Sequence, residues 1–154
     1  MTLLDILRVG NLCLAGLAAG GMVMVALAII PARTALPAGR ALELWQLTTP
    51  RIDRGLPPAI VGSGVLALLY VVFGDLRHAP LRCMLAGLAA TVAVAGISAR
   101  FYESRTYRAI AAWSPESPPP EQAALFGRWN AMHRVRAALA VAALIAYASA
   151  ASAG

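Results

Sequence analysis

Four long apolar stretches in a chain of 154 residues constrain the fold more than any other feature of this sequence. They cover Leu12–Ile30, Pro57–Phe73, Cys83–Ala99 and Ala137–Ala153, and none of them contains a charged side chain. The hydrocarbon core of a bilayer is about 30 Å thick and takes a helix of roughly 20 apolar residues. Because backbone polar groups inside lipid must pair within their own segment, each stretch is predicted to form a membrane-spanning helix.

The sequence therefore predicts an all-α integral membrane protein, folded as a four-helix antiparallel bundle. Only 13% of its residues are charged, whereas soluble domains average about 25%. We expect a single domain over residues 1–154, with helices over about 9–30, 57–74, 81–101 and 121–152. These helices and their connections use the whole length, which leaves no room for a separate soluble catalytic domain.

Prolines and polar residues mark the expected connections. Pro31 is predicted to end the first helix, and Pro57 is predicted to begin the second, where a missing N–H costs little. Between them, residues 32–56 are expected to form a polar connection that contains a short amphipathic helix over Gly39–Leu47. Ser114–Pro120 is too rich in proline to be helical and is expected to be an extended loop.

The arginines indicate an orientation. The net charge of +6 is the balance of 13 basic residues, all of them arginine, and 7 acidic ones. The arginines flank apolar spans instead of forming a solvated basic face. This placement argues against a nucleic-acid partner. Ten of them lie on the first and third connections and the adjoining helix ends: 33, 40, 51, 54, 100, 105, 108, 128, 134 and 136. The positive-inside rule then predicts that these connections are cytoplasmic and both termini outside; we expect a bacterial inner membrane.

The densest polar group lies where the last helix begins, over residues 128–136. Trp129, His133 and Arg136 follow the spacing i, i+4 and i+7, so they share one helical face. One interpretation is an anchor at the level of the lipid headgroups. The other is a functional site, because ionisable groups at membrane depth are uncommon. Arg51 of the first connection and Arg105 of the third are expected on the same side of the membrane, and the spacing leaves both interpretations open.

Metal and disulfide chemistry have weak support. The two histidines, His78 and His133, are predicted at opposite ends of the bundle, and there is no CxxC, HxxxH or paired-carboxylate motif. We predict no cofactor, with a haem bound through His133 as the alternative. Cys13 and Cys83 are expected on one side of the membrane, either as a disulfide or as two small buried side chains.

Two segments carry a family resemblance. IPARTALPAGRALELWQLTTPR follows the first span, and GRWNAMHRVRAAL opens the last helix. Together they resemble the small four-span membrane proteins of the anthrone oxygenase family, in a Pro-Ala-Arg exit from the first helix, a Trp in the first connection and a Trp…His…Arg motif. The residues concerned are Pro31, Arg33, Trp45, Trp129, His133 and Arg136. The Pro-x-Asn-Arg-x-Leu-like stretch of many members has no clear counterpart in Ser98–Arg105, although Arg105 holds the basic position.

The resemblance implies an oxidation of a lipophilic, anthrone-like aromatic by O2 without a metal or organic cofactor. His133 would act as the base, and Arg136 would stabilise the oxyanion that forms. The side chains expected to bind substrate are Trp129, Trp45, Tyr102, Arg33, Arg51 and Arg105.

A non-catalytic role competes with this interpretation. Gly16 and Gly20 form a small-xxx-small face, which suits packing within the bundle and equally suits packing against a partner. The protein would then be an accessory or structural subunit of a larger membrane complex, or a homo-oligomer in lipid. A transporter or channel is disfavoured, because no span carries a charge near its middle.

Overall fold

The computed structural model describes residues 2–74, 78–102 and 105–153, with the side chains of residues 78, 101, 102, 105 and 106 left outside the description. The described chain consists of helices and their connections and contains no β-strand, so the all-α prediction is confirmed. Its helices are α1 (Leu3–Met24), a π-helical turn (Val25–Ile29), α2 (Ile30–Thr34), α3 (Ala38–Phe73), α4 (His78–Tyr102), α5 (Arg105–Ala112) and α6 (Gln122–Ser152).

Four of the helical segments are long and apolar enough to cross a membrane, so the chain is an integral membrane protein. They are Leu3–Thr34, Ala38–Phe73, Ala79–Arg100 and Gln122–Ser152. They form a four-helix bundle in which α1 packs on α3 and α6, and α4 packs on the same two helices. Large apolar side chains cover its outer surface, among them Leu27, Val92 and Ile145. This apolar exterior suits lipid, since a soluble protein rarely exposes so continuous an apolar surface.

Pro31 does not end the first helix, and this prediction is wrong. The chain stays helical to Thr34 through the π-helical turn Val25–Ile29, and the N–H of Ile30 donates to the carbonyl of Val25, five residues back. In a regular helix the ring of Pro31 would collide with the carbonyl of Leu27. The wider π turn removes that collision, and such turns occur frequently at functional sites.

The prediction that residues 32–56 form a connection between two spanning helices is wrong, because most of this segment belongs to α3. The helix expected over Gly39–Leu47 is present as the first part of α3. Pro57 lies inside this 36-residue helix instead of beginning one. At 1.5 Å per residue α3 is about 54 Å long, so part of it extends beyond a hydrocarbon core of about 30 Å. Leu42, Trp45 and Thr49 form a buried face on the first part of α3 and hold it against the other helices.

The third connection contains a helix that the sequence reasoning missed. α5 packs on the extended part of α3 through Ile110, which is fully buried. The amide of Gln46 donates to the carbonyls of Ile110 and Trp113, at 3.2 and 2.8 Å. It thereby provides hydrogen-bond donors for carbonyl groups at the C-terminal end of α5. The prediction that Ser114–Pro120 is not helical is confirmed. Here the chain passes close to α3 at Gly39, where a Cβ would lie 2.3 Å from the carbonyl oxygen of Pro115.

Small residues and neutral polar pairs hold the membrane-embedded half together. The ring of Tyr147 lies against Gly87, where a Cβ would come within 2.5 Å of the ring. Its hydroxyl lies 2.9 Å from that of Thr91. On the neighbouring pair of helices, the amide of Asn11 donates to the carbonyl of Ser63 at 2.8 Å. Inside a bilayer such pairs satisfy polar groups that water cannot reach.

Candidate functional site

The face of α6 that carries the Trp…His…Arg motif points into the bundle. Trp129, His133 and Arg136 are 6%, 2% and 5% exposed. The structure thus places all three among the other helices instead of among lipid headgroups. The spacing i, i+4 and i+7 is what brings them onto one stripe, as the sequence indicated.

Two hydrogen bonds define the protonation state and tautomer of the His133 imidazole. Nη2 of Arg136 lies 2.9 Å from Nδ1 of His133, and Nε2 of His133 lies 3.0 Å from the carbonyl oxygen of Met22. A guanidinium can only donate, so Nδ1 accepts and the ring proton sits on Nε2, which donates to Met22. His133 is therefore a neutral imidazole whose one basic nitrogen faces a cation. Met22 stands just before the π-helical turn of the first span.

Helix α4 fixes the other end of the guanidinium. Nη1 of Arg136 donates to Oγ of Ser98 at 3.1 Å, and this hydroxyl in turn donates to the carbonyl of Val94 at 2.7 Å. The chain of hydrogen bonds thus runs from α4 through Arg136 and His133 to α1. Because three helices contribute to it, the position of the imidazole depends on how the bundle closes.

A second arginine is held by aromatic rings. The guanidinium carbon of Arg33 lies 4.5 Å from the ring centroids of both Phe126 and Trp129, and Nη2 donates to the amide oxygen of Asn130. Arg33 is only 1% exposed, and it forms no ion pair with any residue that the structure describes. Cation–π contacts of this kind strengthen when they are desolvated. The ring of Trp129 also stacks on the imidazole of His133, with ring centroids 5.1 Å apart and an angle of 16° between the ring planes.

A cleft opens beside this group, between α3 and α6. It has about 440 Å³ of unfilled space, counting its open side, yet the part wide enough for a water-sized sphere is only about 20 Å³, room for about one water molecule. Its walls combine eight apolar side chains with six polar or charged ones. The lining residues are Met22, Val25, Ile29, Thr48, Thr49, Ile52, Asp53, Leu56, Pro57, Ile60, Ser98, Trp129, His133 and Arg136.

Asp53 brings an acidic group to the same cleft. Its carboxylate accepts a hydrogen bond of 3.0 Å from the hydroxyl of Tyr107 on α5. Burial, together with the charge and hydrogen bond of Asp53, raises the pKa of Tyr107 to about 12. α5 therefore contributes to the site through this contact.

The structure separates the residues that the sequence grouped as substrate-binding. Trp45 is buried behind the cleft, with its ring 5.2 Å from that of Tyr107 and 6.5 Å from that of Phe126. Arg51 is exposed, and its guanidinium donates to the carbonyl of Leu47 in its own helix, so it does not reach the cleft. The side chains of Tyr102 and Arg105 lie outside the described residues, and so does that of His78.

Several residues of the site did not emerge from the sequence reasoning. Asn130 and Phe126 lie within one turn of Trp129, so the helical spacing carries a signal for both. Ser98 and Asp53 carry no such signal, because their approach to α6 depends on the packing of three helices.

The described residues give no support to a metal centre, since no three His, Cys, Asp or Glu side chains come together there. Both ring nitrogens of His133 are hydrogen-bonded, so haem ligation through this residue would require the loss of one bond. Cys13 and Cys83 are free thiols. The expectation of two buried side chains is wrong, because Cys13 is exposed and Cys83 is only half-buried.

A comparison with family profiles confirms the resemblance. The profile of the family described as anthrone oxygenase matches residues 45–146, about two thirds of the chain. This range includes Trp45, Trp129, His133 and Arg136, as well as Ser98 and Asp53. Neither the curated proteins nor the solved structures give a match. Since the matched range contains most of α3, all of α4 and the cleft-lining part of α6, the chain belongs to the anthrone oxygenase family.

Proposed function

We propose that this protein is a membrane oxidoreductase that uses O2 to convert a lipophilic, anthrone-like aromatic into the corresponding quinone. The family supports the reaction type. One structural observation carries the assignment of roles: the neutral imidazole of His133 and the guanidinium of Arg136 are hydrogen-bonded to each other and both line the cleft. An acceptor nitrogen next to a fixed cation suits the removal of a proton from a carbon whose electrons move onto oxygen.

The reaction balances with O2 as the oxidant. An anthrone has a methylene carbon that becomes acidic because its anion is aromatic, with the negative charge on the phenolic oxygen. This anion passes one electron to O2, and the resulting radical and superoxide combine into a peroxide anion at the same carbon. The peroxide takes back the proton held by the base and becomes a hydroperoxide. Loss of water then leaves a carbonyl, so one CH2 group and one O2 give one C=O and one H2O. In this scheme no metal or organic cofactor takes part.

The hydrogen bond between the two side chains supplies a way to couple proton transfer with charge stabilisation. Nδ1 of His133 holds its lone pair toward Nη2 of Arg136. Arg136 occupies the one lone pair of Nδ1, so it must release this nitrogen before Nδ1 takes a proton from the substrate; once protonated, Nδ1 is a donor and the hydrogen bond cannot re-form. Arg136 then turns its N–H toward the new oxyanion, while Ser98 keeps the guanidinium in place through Nη1.

The aromatic and apolar walls suit a flat substrate, although the cleft is narrow as it stands. Trp129 provides a ring beside the imidazole, and the guanidinium of Arg33 packs on that ring. For a three-ring molecule to bind, side chains such as Ile52 and Leu56 must move aside, and we propose that this opening faces the bilayer. Substrate and O2, which both dissolve in lipid, would then arrive by the same route. We further propose that the site lies at the cytoplasmic side of a bacterial inner membrane.

The decisive experiment uses the purified protein in lipid nanodiscs with anthrone as substrate, measuring O2 uptake and quinone formation against empty nanodiscs. His133→Gln keeps an amide N–H for the carbonyl of Met22 and removes the base. We expect turnover to fall by roughly 10²- to 10⁴-fold with an unchanged melting temperature. Arg134→Gln, next to it and exposed to the surroundings, is the matched control.

The variant Asp53→Asn tests whether the carboxylate of Asp53, and not the imidazole of His133, is the base. If Asp53→Asn abolishes turnover and His133→Gln does not, the carboxylate is the base and the role of His133 in this proposal is wrong. If neither variant differs from the unaltered protein, the cleft is not the site of the reaction.

A second candidate function rests on the outer face of α1. At Gly16 and Gly20 a Cβ would meet nothing within 4 Å, so this small-residue face makes no close contact with the described part of the chain. Such faces let transmembrane helices approach closely, which suits an accessory subunit or a homo-oligomer. Gly16→Leu combined with Gly20→Leu would then release a co-purifying partner or a second copy from mild-detergent extracts, whereas an enzyme that acts as a monomer would keep its mass and turnover.

A further inference from the structure

A second cavity lies at the centre of the bundle, where all four spanning helices meet. It has about 240 Å³ of unfilled space, counting its open side, and the part wide enough for a water-sized sphere is about 20 Å³. Each spanning helix contributes two residues, and all eight are buried, with exposed fractions of 7% or less. A cavity needs roughly 10–15 Å³ by the latter measure to hold one water molecule, so this space takes a single occupant of about the size of water.

The lining of this central cavity is mostly methyl groups. α1 contributes Ala15 and Ala18, α6 contributes Ala140 and Ala143, and α4 contributes Val94. None of these side chains can hydrogen-bond to an occupant. An apolar cavity of this kind stays dry and takes up small apolar molecules.

The two hydroxyls in the wall are already engaged. Oγ1 of Thr91 donates to the carbonyl of Gly87 at 2.9 Å and lies 2.9 Å from the hydroxyl of Tyr147. Oγ of Ser63 accepts from the amide of Asn11 at 3.3 Å. A buried water typically makes about three hydrogen bonds, and the wall has few groups left to provide them. Water is therefore a poor occupant compared with an apolar diatomic molecule.

The central cavity adjoins the cleft of the candidate site. Ile60 lines both spaces. Val94 lies one turn before Ser98, and its carbonyl accepts the hydrogen bond of that serine. On α6, Ala140 follows Arg136 by one turn. Ile60 is thus the lining residue that the cavity and the cleft have in common.

We propose that the central cavity binds molecular oxygen and delivers it to the cleft past Ile60. The proposal rests on the proposed function, in which O2 is the oxidant. A three-ring substrate that fills the cleft would block O2 from the bilayer side, so a separate apolar store behind the reacting carbon allows both reactants to be present together. O2 needs no hydrogen bonds, fits a space made for one small molecule, and dissolves readily in the lipid around the bundle.

Methyl NMR detects this binding without any turnover. Protein labelled on the methyl groups of alanine and valine is placed in nanodiscs, and spectra under O2 are compared with spectra under N2. Because O2 is paramagnetic, we expect the signals of Ala143 and Val94 to broaden more than that of Ala150, which is equally buried but lies outside the cavity. They should also broaden more than that of Val92, which faces lipid. Equal or weaker broadening at Ala143 and Val94 would overturn the proposal.

Filling the cavity gives the second arm of the test. Ala143→Val, and independently Ala18→Val from a different helix, should remove the excess broadening at Val94 and raise KM for O2 while leaving KM for anthrone unchanged. Ala150→Val is the matched control and should alter neither. If turnover continues in the filled variants with an unchanged KM for O2, the delivery role is wrong. If neither the unaltered protein nor any variant oxidises anthrone, the proposed function is wrong. The NMR comparison then still decides whether O2 occupies the cavity.

Discussion

Arg136 donates from Nη2 to Nδ1 of His133 over 2.9 Å, although both side chains belong to the same helix and lie only three residues apart. A pair at i, i+3 on one helix can meet without any tertiary contact. What makes this pair unusual is that each member has a further partner on another helix. Ser98 on α4 holds the arginine, and the carbonyl of Met22 on α1 holds the histidine. The orientation of both groups is therefore set by the closed bundle.

The contact between Ser98 and Arg136 predicts a positioning role for the serine. Ser98→Ala removes the hydrogen bond to a charged donor, worth about 1.5–3 kcal/mol, and lets the guanidinium turn away from the cleft. We expect kcat for anthrone oxidation to fall by about tenfold or more, with little change in KM. Ser98→Thr, which keeps a hydroxyl, should recover most of the activity. Ser149→Ala on the exposed side of α6 is the control, and an equal loss there would contradict the prediction.

The buried cation Arg33 and the amide of Asn130 should be energetically coupled. Arg33→Met keeps much of the volume between Phe126 and Trp129 but removes the donor to Asn130. A buried acceptor without its donor costs about 1–3 kcal/mol. In a double-mutant cycle with Asn130→Leu, the coupling free energy should reach about 0.5–3 kcal/mol, as for contacting residues in general. Unfolding in mixed micelles measures it, and strictly additive effects would show that the bond contributes nothing.

Two glycines of α4 should respond oppositely to the same substitution. At Gly87 an added Cβ would lie 2.5 Å from the ring of Tyr147, whereas at Gly96 it would meet nothing within 4 Å. Gly87→Ala forces the rigid ring away from Thr91, and we expect a loss of about 1–3 kcal/mol, as for other overpacked cores. Gly96→Ala should be neutral or stabilising by up to about 1 kcal/mol. Melting temperatures of the two variants in one detergent compare them directly, and similar values would contradict the packing described for Tyr147.

The phenol of Tyr107 should ionise at unusually high pH. Its pKa is raised to about 12, first by burial and then by the charge and hydrogen bond of Asp53. The folded protein holds this proton more tightly than the unfolded chain, whose tyrosines ionise near 10. The contribution of this protonated phenol to the free energy of unfolding is therefore fully present below pH about 10 and is lost as the pH rises toward about 12.

Phenolate absorbance during an alkaline titration measures this shift, with Tyr107→Phe identifying the signal. Asp53→Asn should lower the pKa of Tyr107 only part of the way toward 10, because burial remains. If the last ionisation of the unaltered protein is also present in Tyr107→Phe, it belongs to another tyrosine and the predicted shift is wrong.

Sequence patterns predicted the grouping of some site residues correctly and that of others incorrectly. The stripe of Trp129, His133 and Arg136 followed from helical spacing alone, because residues separated by a whole number of turns must share a face. Trp45 and Arg51 were grouped with them because both were assigned to one polar connection. They lie instead on different faces of the continuous helix α3, so Trp45 is buried and Arg51 is exposed. A pattern of polar residues and prolines did not reveal that this segment stays helical, because the stabilising contacts come from α5 and α6.

The sequence by itself determined that this chain crosses a membrane as four helices, and it identified the family. Both conclusions rest on local properties: hydrophobic length is dictated by the thickness of the bilayer, and the motifs are contiguous in the chain. Only the tertiary structure decided that Arg33 lies between two rings, that Ser98 holds Arg136, and that a cleft and a central cavity adjoin at Ile60. These features depend on which faces of separate helices meet, and packing among apolar, alanine-rich surfaces leaves no periodic signal that would specify those pairings in advance.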